Sequence, residues 1–500
     1  MMETKENQSS NPKALILSKR AVIVGVVVVL LLFITSYILT FVLPKGSYYR
    51  YTEEDYVNGV DGITEDRIGS IKNDSYVQDD SLEGIKWWQF LLAPVMILSP
   101  TSESSGTVWA IVALLFIIGA VFTALDESGI LVYMVRYVDQ RFRRRKYLLL
   151  FLLCFVFMFL GSTAGMFEEL IPLVPVVVML SYALGWDAIT GLAIVVLASC
   201  IGFSAGVANP FTVGISQTLG GLPMYSGIGM RLLTFALGFI VLMAFLFPYA
   251  RKIERRPEKS MVYKDDLIRK KDFENLEPFV RNKNMDKGMF FFGGCILLVL
   301  IVAVVSIFWH DLASYVMYIT IGIYLIAGIG ACLLCKMSVK SLLKNLGKGL
   351  LTLLPAVALV LIAGGIRYVI EKGDVMDTIV YFFISLIEGQ NKFVIVLILY
   401  AIIFTLEIFI QSGSAKAFLI MPMIFDICSV VGIDPQIAVL VFAFADGFAN
   451  VLLPTNAGLL LILGMTTVDY GKWFRWSIRV QLAMFAATMG VLALALYVVY

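Results

Sequence analysis

The sequence predicts an all-α polytopic membrane protein with two inverted repeats, two opposed re-entrant hairpins and two broken helices. Of its 500 residues, 59% are hydrophobic and 15% are charged, whereas about a quarter of a soluble domain is charged. The segment GSTAGMFEELIP at 161–172 recurs as QSGSAKAFLIMP at 411–422, an offset of 250 residues. Composition therefore predicts a location in the lipid bilayer, and the recurrence divides the chain into two related halves.

The correspondence between the halves continues beyond these segments with its order and spacing kept. Gly185 matches Gly432 at an offset of 247 residues, and Pro210 matches Pro454 at an offset of 244. In secondary transporters, polar interruptions of hydrophobic segments at corresponding places of two halves point to the substrate site. The pattern therefore predicts a secondary transporter.

Nine apolar stretches are long enough to cross the bilayer, since a crossing helix needs about 20 mainly apolar residues. The first stretch is not a removable signal peptide, because its apolar run is too long and no small-x-small cleavage site follows it. The nine are 21–43, 107–125, 188–219, 228–250, 288–308, 313–335, 347–367, 436–464 and 476–498.

Lysine and arginine predict the orientation, since they concentrate in cytoplasmic loops. The N-terminus, 1–20, is predicted cytoplasmic, as is the linker 251–287, which has twelve basic residues against eight acidic. The loop 44–106 has five basic residues against eleven acidic and is predicted to lie outside. We expect a multi-pass plasma-membrane protein with repeat 1 at 107–250 and repeat 2 at 288–500.

Two further apolar regions, 147–183 and 393–431, carry a polar clump near the middle. Read as hairpins, each region enters and leaves the membrane on one side, and the clump becomes the tip at mid-depth. The first then enters from the cytoplasm and the second from outside, because five crossings lie between them. An odd number of crossings makes the two repeats inverted.

Three segments are predicted to lie at the membrane interface. The segments 126–146 and 368–392 are charged and flank the hairpins, so they suit arms that join the hairpins to the rest of the protein. The segment 86–100 is too short to cross and carries a Trp pair suited to the headgroup region.

Each hairpin faces a long span that proline interrupts, 188–219 in one repeat and 436–464 in the other. Proline removes a backbone donor and clashes with the preceding turn, which frees carbonyls to bind a cation or substrate. The alternative is a kinked packing helix without a binding role. The recurrence of the interruption beside a duplicated polar tip favours the binding role.

Irregular backbone at membrane depth is tolerated only inside protein or along a water-filled cavity, so both tips and both interruptions predict one site. The hydroxyls, amides and free carbonyls there can bind a small polar solute, and nearby carboxylates add charge. The predicted substrate-binding residues are Ser162, Thr163, Gly165, Glu168, Glu169, Asn209, Pro210, Thr212, Glu407, Ser412, Gly413, Ser414, Asp446, Asn450, Thr455 and Asn456.

This order of hairpins and broken helices, with Ser/Thr-Gly tips, resembles the ion transporter superfamily, which includes divalent-anion/sodium symporters. Within it the chain is most similar to the YfcC family, grouped with the anaerobic four-carbon dicarboxylate carriers. The resemblance covers nearly the whole chain. It is carried by FVLPKGSY (41–48), GSTAGMFEE (161–169), ANPFTVGISQTLGGLPMYSGIGMR (208–231) and DGFANVLLPTNAGLL (446–460).

The resemblance implies a scaffold and a transport domain that work as an elevator, in a homodimer. It leaves the substrate open, since similar proteins are assigned to dicarboxylates and to basic amino acid exchange such as arginine for ornithine. The chain departs from the sodium/dicarboxylate members because an Asn beside the Ser is missing at both tips. Their sodium sites therefore cannot be transferred intact, and the coupling ion, H⁺ or Na⁺, stays open.

Ionisable residues within spans are costly, so they are candidates for function. Glu168, Glu169, Glu407 and Asp446 lie near the tips and interruptions, where Lys416 is the one basic residue. Three interpretations compete: the carboxylates hold a cationic amino acid, they carry protons, or Lys416 neutralises them in a structural pair. The first predicts a basic amino acid exchanger, with a proton- or sodium-coupled C4-dicarboxylate carrier as the alternative.

Three arginines are expected to have roles outside the site. Arg231 and Arg475 occupy equivalent positions after the interruptions and suit anchors at the membrane surface. Arg367 and Glu371 suit an i, i+4 pair on an interfacial helix.

Other functional classes find little support in the sequence. A single His310 disfavours a histidine metal site, and Cys332 and Cys335 form a CxxC without a second pair, so no metal and no cofactor are expected. The near-balanced charge of +2 gives no reason to expect nucleic acid as a partner. No nucleophile with its base appears, so an enzyme is not expected. An ion channel is the different-class alternative, although opposed hairpins suit alternating access better than a continuous pore.

Overall fold

The computed structural model describes residues 19–57, 71–79, 84–99, 105–267, 279–306, 309, 315–352, 354–387 and 389–500. Most of the predicted cytoplasmic N-terminus lies outside these ranges, as do parts of the loop 44–106 and of the linker 251–287. His310 lies outside them as well.

The described chain is almost entirely helical, as an apolar chain requires when its backbone polar groups must pair within the segment. By length and composition, eight of its helices can cross a membrane. The α-helices of ten or more residues are Lys19–Val42, Trp87–Met96, Ser105–Glu127, Ile130–Phe142, Lys146–Ala164, Val174–Ala183, Ile228–Arg255, Lys283–Ser306, Val316–Leu334, Val339–Thr352, Leu354–Lys372, Met376–Ser385, Lys392–Leu406, Gly413–Val431, Pro435–Leu452 and Tyr470–Leu494.

In the part of the chain that the structure describes, shorter helical pieces lie between and beside these helices. The short α-helices are Glu53–Val57, Ala188–Leu192, Ala198–Ala205, Ile215–Leu219 and Ala457–Gly464. Three 3-10 helices span Arg143–Arg145, Glu168–Leu173 and Pro257–Lys259. Three π-helical turns span Ala193–Leu197, Pro210–Gly214 and Ala495–Val499.

The prediction of an all-α protein is wrong in one place, where two strands pair antiparallel. They are β1, Gly46–Arg50, and β2, Ile71–Gln78. The Tyr48 N–H donates to Asp377 at 2.9 Å, and Arg50 forms an ion pair with the same carboxylate at 3.0 Å. The sheet is therefore fastened to helix Met376–Ser385, and 329 residues separate Tyr48 from Asp377 along the chain. Both strands contain many polar residues, so apolar stretches in the sequence do not indicate this sheet.

One predicted span has different bounds in the structure. In place of 347–367 there are two helices, Val339–Thr352 and Leu354–Lys372, with Pro355 in the first turn of the second. Proline is tolerated in a first turn, where its missing N–H would be unpaired anyway. The second helix therefore extends beyond Arg367, which lies inside it rather than at its end.

The short helix Trp87–Met96, within the segment predicted to be interfacial, packs against other helices on one face. Ala93 is buried, and the Phe90 ring stacks on Phe33 at 4.4 Å and on Tyr37 at 4.2 Å. Trp87 and Trp88 on the other face are exposed.

Two interrupted helices form the centre of the protein. The most apolar stretch of the first, within 188–219, is entirely buried, and that of the second, within 435–464, is mostly buried. Small residues allow the close approach: a Cβ on Gly202 would lie 1.9 Å from the Met158 carbonyl oxygen. A Cβ on Gly447 would lie 2.4 Å from the backbone nitrogen of Ser204. Backbones thus touch where interfaces between membrane helices commonly use Gly, Ala and Ser.

Candidate functional site

The first polar clump ends a helix in the middle of the protein. Helix Lys146–Ala164 stops at Gly165, whose φ of +62° is the left-handed conformation that glycine adopts at helix ends. The chain continues as the 3-10 helix Glu168–Leu173 and helix Val174–Ala183. Ser162 is fully buried, and its carbonyl accepts the Ala208 N–H at 3.0 Å. The first tip is therefore tied to the interruption in the first broken helix.

That interruption begins where helix Ala198–Ala205 ends at Gly206, another left-handed glycine with φ +52°. Helix resumes at Pro210, and the Asn209 side chain caps it by accepting the Phe211 N–H at 2.9 Å. Proline at the first helical position and asparagine at the cap are residues that favour a new helix start. A Cβ on Gly165 would lie 2.5 Å from Asn209 Oδ1, so only glycine fits there.

The second polar clump separates helix Lys392–Leu406 from helix Gly413–Val431. Ser412 caps the second helix by accepting the Ala415 N–H at 3.4 Å, and its hydroxyl lies 3.2 Å from that of Ser414. Because four N–H groups at a helix start have no partner within the helix, this tip presents a positive dipole end.

The second interruption lies between helices Pro435–Leu452 and Ala457–Gly464. Asn456 caps the later helix by accepting the Leu459 N–H at 2.9 Å, and its amide donates to Asn450 Oδ1 at 2.7 Å. The Asn450 amide donates in turn to the Asp446 carbonyl oxygen at 3.3 Å. These two asparagines therefore link the two parts of the broken helix across its interruption.

The second tip contacts both interruptions. Gln411 at the second tip accepts the Ala457 N–H at 3.4 Å. A Cβ on Gly413 would lie 3.2 Å from Thr212 of the first interruption and 3.2 Å from Asp446 Oδ2. The fold therefore brings the four irregular segments to one place, although 250 residues separate Ser162 from Ser412 along the chain and 244 separate Pro210 from Pro454.

A cavity of about 630 Å³ opens beside this meeting point. The tips and broken helices form one wall, and helices Ser105–Glu127 and Leu354–Lys372 form the other. Of the predicted residues, those on the cavity surface are Gly165, Glu168, Glu169, Pro210, Ser412, Gly413, Ser414, Asp446 and Asn450. The others are outside the lining and are Ser162, Thr163, Asn209, Thr212, Glu407, Thr455 and Asn456.

The residues outside the lining are buried among the irregular segments. Ser162, Asn209 and Thr212 are fully buried, and Thr163, Thr455 and Asn456 nearly so. The Thr163 hydroxyl donates to the Phe159 carbonyl at 2.7 Å. Most of these residues support the tips and interruptions from behind rather than facing the cavity.

Charged groups are concentrated at the second tip. Lys416 is fully buried, and its Nζ lies 2.7 Å from Asp446 Oδ1 and also contacts the Glu407 carboxylate. Glu168 and Glu169 begin the 3-10 helix after the first tip, where the Phe167 N–H donates to Glu169 Oε2 at 3.3 Å. Among the described residues, these acids do not form a cluster that could hold a metal ion.

Two arginines differ from their predicted roles. Arg231, expected at the membrane surface, is fully buried and donates to the carbonyls of Ser226 at 2.8 Å, Tyr225 at 2.9 Å and Val207 at 3.3 Å. Arg367 forms the expected ion pair with Glu371 and also lines the cavity. The carbonyls that bind Arg231 lie within 24 residues of it, whereas Arg367 reaches the cavity through packing between distant helices.

The cavity also includes residues that sequence reasoning missed. Gln411 belongs to the second tip and could have been found, since it precedes Ser412 in the recurring segment. Tyr318, Gly364 and Arg367 come from helices without any polar clump. No local signal distinguishes them from ordinary membrane-helix residues.

Comparison with known protein families gives one match across nearly the whole chain. The family model described as C4-dicarboxylate anaerobic carrier (DcuC) matches residues 23–497.

Two curated proteins resemble the chain over most of their length. An Escherichia coli K12 protein named "Putative basic amino acid antiporter YfcC" is 28% identical over 392 residues, which is 74% of each chain. A Haemophilus influenzae Rd protein, named only as uncharacterized, is 24% identical over 474 residues, 88% of this chain and 90% of that protein.

Two solved structures align with most of the chain at low similarity. MtrF of Neisseria gonorrhoeae, described in a class of antimetabolite efflux pumps, has a TM-score of 0.44 and 15% identity, covering 95% of this chain and 96% of its own. The YdaH transporter of Alcanivorax borkumensis has a TM-score of 0.39 and 14% identity, covering 95% and 98%.

Proposed function

The chain belongs to the C4-dicarboxylate anaerobic carrier family and is a multi-pass membrane transporter of a small molecule, and we propose that it exchanges basic amino acids of the arginine and ornithine type. The proposal places the substrate in the cavity between the two tips. It assigns the chain no enzymatic reaction, no resident metal and no cofactor.

The observation that carries this proposal is the charge of the cavity. Three carboxylates, those of Glu168, Glu169 and Asp446, belong to residues that line it. The second carboxylate of a dicarboxylate substrate would lie close to these three carboxylates. Two like charges about 5 Å apart repel by about 3 kcal/mol at an effective dielectric of 20. A cationic side chain gains a similar amount, so the lining favours a basic amino acid.

The other groups of the lining suit the rest of an amino acid. The hydroxyls of Ser412 and Ser414 lie at the N-terminus of helix Gly413–Val431, where unpaired N–H groups and the helix dipole favour an anion. We infer that the substrate carboxylate binds there and that its cationic side chain points toward Glu168 and Glu169. The positive charge of the substrate then offsets part of the charge of these acids, which suits a site within the membrane.

Exchange follows from the same charge balance. When substrate is bound, its positive charge crosses the bilayer together with the acids of the site and offsets part of their charge. Without substrate, the acids would have to cross with no such offset. We propose that the hairpins and broken helices move as an elevator relative to a scaffold, as two inverted repeats in a homodimer with a cytoplasmic N-terminus. H⁺ or Na⁺ would serve as a coupling ion if net uptake occurs.

A C4-dicarboxylate is the second candidate substrate. The matching family carries that description, and Arg367 brings a guanidinium to the cavity wall that faces the tips. Arginine forms bidentate pairs with carboxylates, but this one already pairs with Glu371. Arg367 is paired with Glu371 and Asp446 with Lys416, so the remaining acids of the lining, Glu168 and Glu169, favour the basic amino acid.

The test is counterflow in proteoliposomes with arginine, ornithine, succinate, fumarate and dipeptides, with and without sodium and a pH gradient. We expect arginine and ornithine to exchange, and Glu168→Gln and Asp446→Asn each to weaken arginine exchange about tenfold or more, since each removes a charge partner from a poorly solvated site. Glu258→Gln, an exposed acid outside the membrane helices, is the matched control and should exchange like the wild type.

The opposite result would be equally clear. If succinate uptake survives in both variants and arginine never competes, the amino acid proposal is wrong and the dicarboxylate takes its place. An ohmic current without saturation would instead indicate an ion channel.

A further inference from the structure

Lys416 is the one fully buried lysine among the described residues, and oxygen atoms from two parts of the chain surround its ammonium group. Asp446 Oδ1 lies 2.7 Å from Nζ, and the Glu407 carboxylate contacts it from the other segment. The carbonyl oxygen of Ile410 accepts a hydrogen bond from Nζ at 3.3 Å. Carboxylate and carbonyl oxygens are also the ligands that hard cations prefer in proteins.

The position of these oxygens matches an ion site at a helix interruption. Glu407 and Ile410 directly follow helix Lys392–Leu406, at its C-terminal end. Such ends carry negative partial charge, and transporters commonly bind coupling cations at the ends of discontinuous helices. In this chain the ammonium group of Lys416 lies there.

Asp446 connects this group to the cavity. Its Oδ1 faces Lys416, while its Oδ2 would lie 3.2 Å from a Cβ on Gly413, the first residue of the tip helix. Asp446 lines the cavity and Lys416 lies behind it. Any change of charge at Lys416 therefore reaches the substrate wall through a single carboxylate.

The acid–lysine group belongs to the second half alone. At the offset of 250 residues, Met166 stands opposite Lys416 and Phe157 stands opposite Glu407. The tips and interruptions recur in both halves, but this charged group does not. It is thus an addition to one tip rather than a feature that the repeat requires for folding.

We propose that Lys416 is a built-in cation of the second tip, which takes the place of a free monovalent cation between Glu407 and Asp446. Because the ammonium is covalently attached, one of the two negative charges at the tip stays compensated through every step of the transport cycle. The second tip then needs no sodium. This inference rests on the transport function proposed above and concerns how the site is held, whichever substrate it takes.

The test removes the ammonium and supplies a free cation in its place. Lys416→Ala is purified and its thermal unfolding in detergent is measured in choline chloride, sodium chloride and methylammonium chloride. We expect a melting temperature below that of the wild type in choline, because two buried carboxylates lose their partner, and a recovery in methylammonium or sodium. Wild-type protein should not respond. This readout needs no substrate, so it stands even if the proposed substrate is wrong.

Transport by the same variant gives a second readout, with the substrate that the counterflow panel identifies. We expect exchange in choline to fall about tenfold or more, because an uncompensated buried charge is costly, and to rise several-fold with methylammonium or sodium. Lys340→Ala, an exposed lysine, is the control and should match the wild type in all three salts. If Lys416→Ala does not fold, the double variant Lys416→Met with Glu407→Gln replaces it, with the same cation response expected at Asp446.

Two outcomes would overturn the proposal. One is a folded variant that exchanges at the wild-type rate in choline, which would make the ammonium dispensable. The other is a folded, inactive variant whose stability and exchange respond to neither cation, which would limit Lys416 to a structural ion pair.

Discussion

Asp266 joins three separate parts of the chain through its carboxylate. It accepts hydrogen bonds from the Tyr182 hydroxyl at 2.9 Å, from the Ala188 N–H at 3.0 Å and from the Thr467 hydroxyl. Tyr182 ends the first hairpin, Ala188 begins the first broken helix and Thr467 follows the second. A residue in the linker therefore connects both halves of the proposed transport domain at one end.

This carboxylate gives the protein a pH-dependent stability. Burial raises the pKa of Asp266 from an ordinary 3.8 to about 6, outweighing the hydrogen bonds it accepts. An acid with a raised pKa stabilises the fold below its unfolded pKa, and that contribution is lost as pH rises through about 6. The difference corresponds to about 3 kcal/mol in the free energy of unfolding.

We expect Asp266→Asn to remove this part of the pH dependence, because the amide stays neutral at every pH. Between about pH 4 and pH 7 the melting temperature of the wild type should fall by a few degrees more than that of the variant. Asp265→Asn is the control, since Asp265 is partly exposed and pairs with Lys472 at 2.5 Å. Equal pH profiles for the wild type and Asp266→Asn would contradict the assignment.

Among elements, the two broken helices cross with their backbones in contact. Gly447 of one helix faces the Ser204 nitrogen of the other, and Gly202 and Gly161 make similar contacts between the first broken helix and the first hairpin. Membrane helices gain little from burying apolar groups against each other instead of lipid, so close van der Waals packing decides their association. The interruptions are held together by this packing.

We expect Gly447→Ala to disturb the crossing, because the added methyl would lie 2.4 Å from backbone that cannot rotate away. Overpacking of this kind costs about 1–3 kcal/mol, so the melting temperature should fall by a few degrees and exchange should weaken. Gly490→Ala is the matched control, since a Cβ there meets nothing within 4 Å. An unchanged melting temperature for Gly447→Ala would contradict this expectation, because the two helices could then move apart without losing stability.

At the scale of the whole molecule, the cavity lies between two groups of helices rather than within one. One wall is built from tips and interruptions, and the other from helices without them. Movement of one group past the other would change which side of the membrane reaches the substrate. The proposed elevator requires this movement.

We expect the cysteine of Ala415→Cys, at a half-buried position that lines the cavity at the second tip, to react with membrane-impermeant thiol reagents from the cytoplasm in one state and from outside in another. Reaction is measured in oriented vesicles with and without substrate, after the half-buried Cys295 and Cys335 are replaced by alanine. A cysteine at Ser338, exposed at the start of helix Val339–Thr352, should react from one side only. One-sided reaction at position 415 under every condition would argue against the elevator.

The sequence by itself determined the membrane class and the places where helices stop. Gly165, Gly206, Asn209, Pro210 and Ser412 act on the backbone within a few residues, through left-handed conformation, missing N–H groups and caps. Such effects are local, so they can be read without knowing the fold. The recurrence of the polar clumps added the inference that the two sets belong together.

Only the tertiary structure decided which side chains share an environment. It placed Lys416 against Asp446, buried Arg231 among carbonyls, brought Arg367 to the cavity wall and put Thr212 behind the second tip. The Arg231 contacts lie within 24 residues, but the others depend on which faces of distant helices pack together. An apolar membrane helix carries little periodic signal of its orientation, since lipid and protein neighbours are both apolar. Local residues therefore set where the backbone breaks, and packing between helices set which charges meet there.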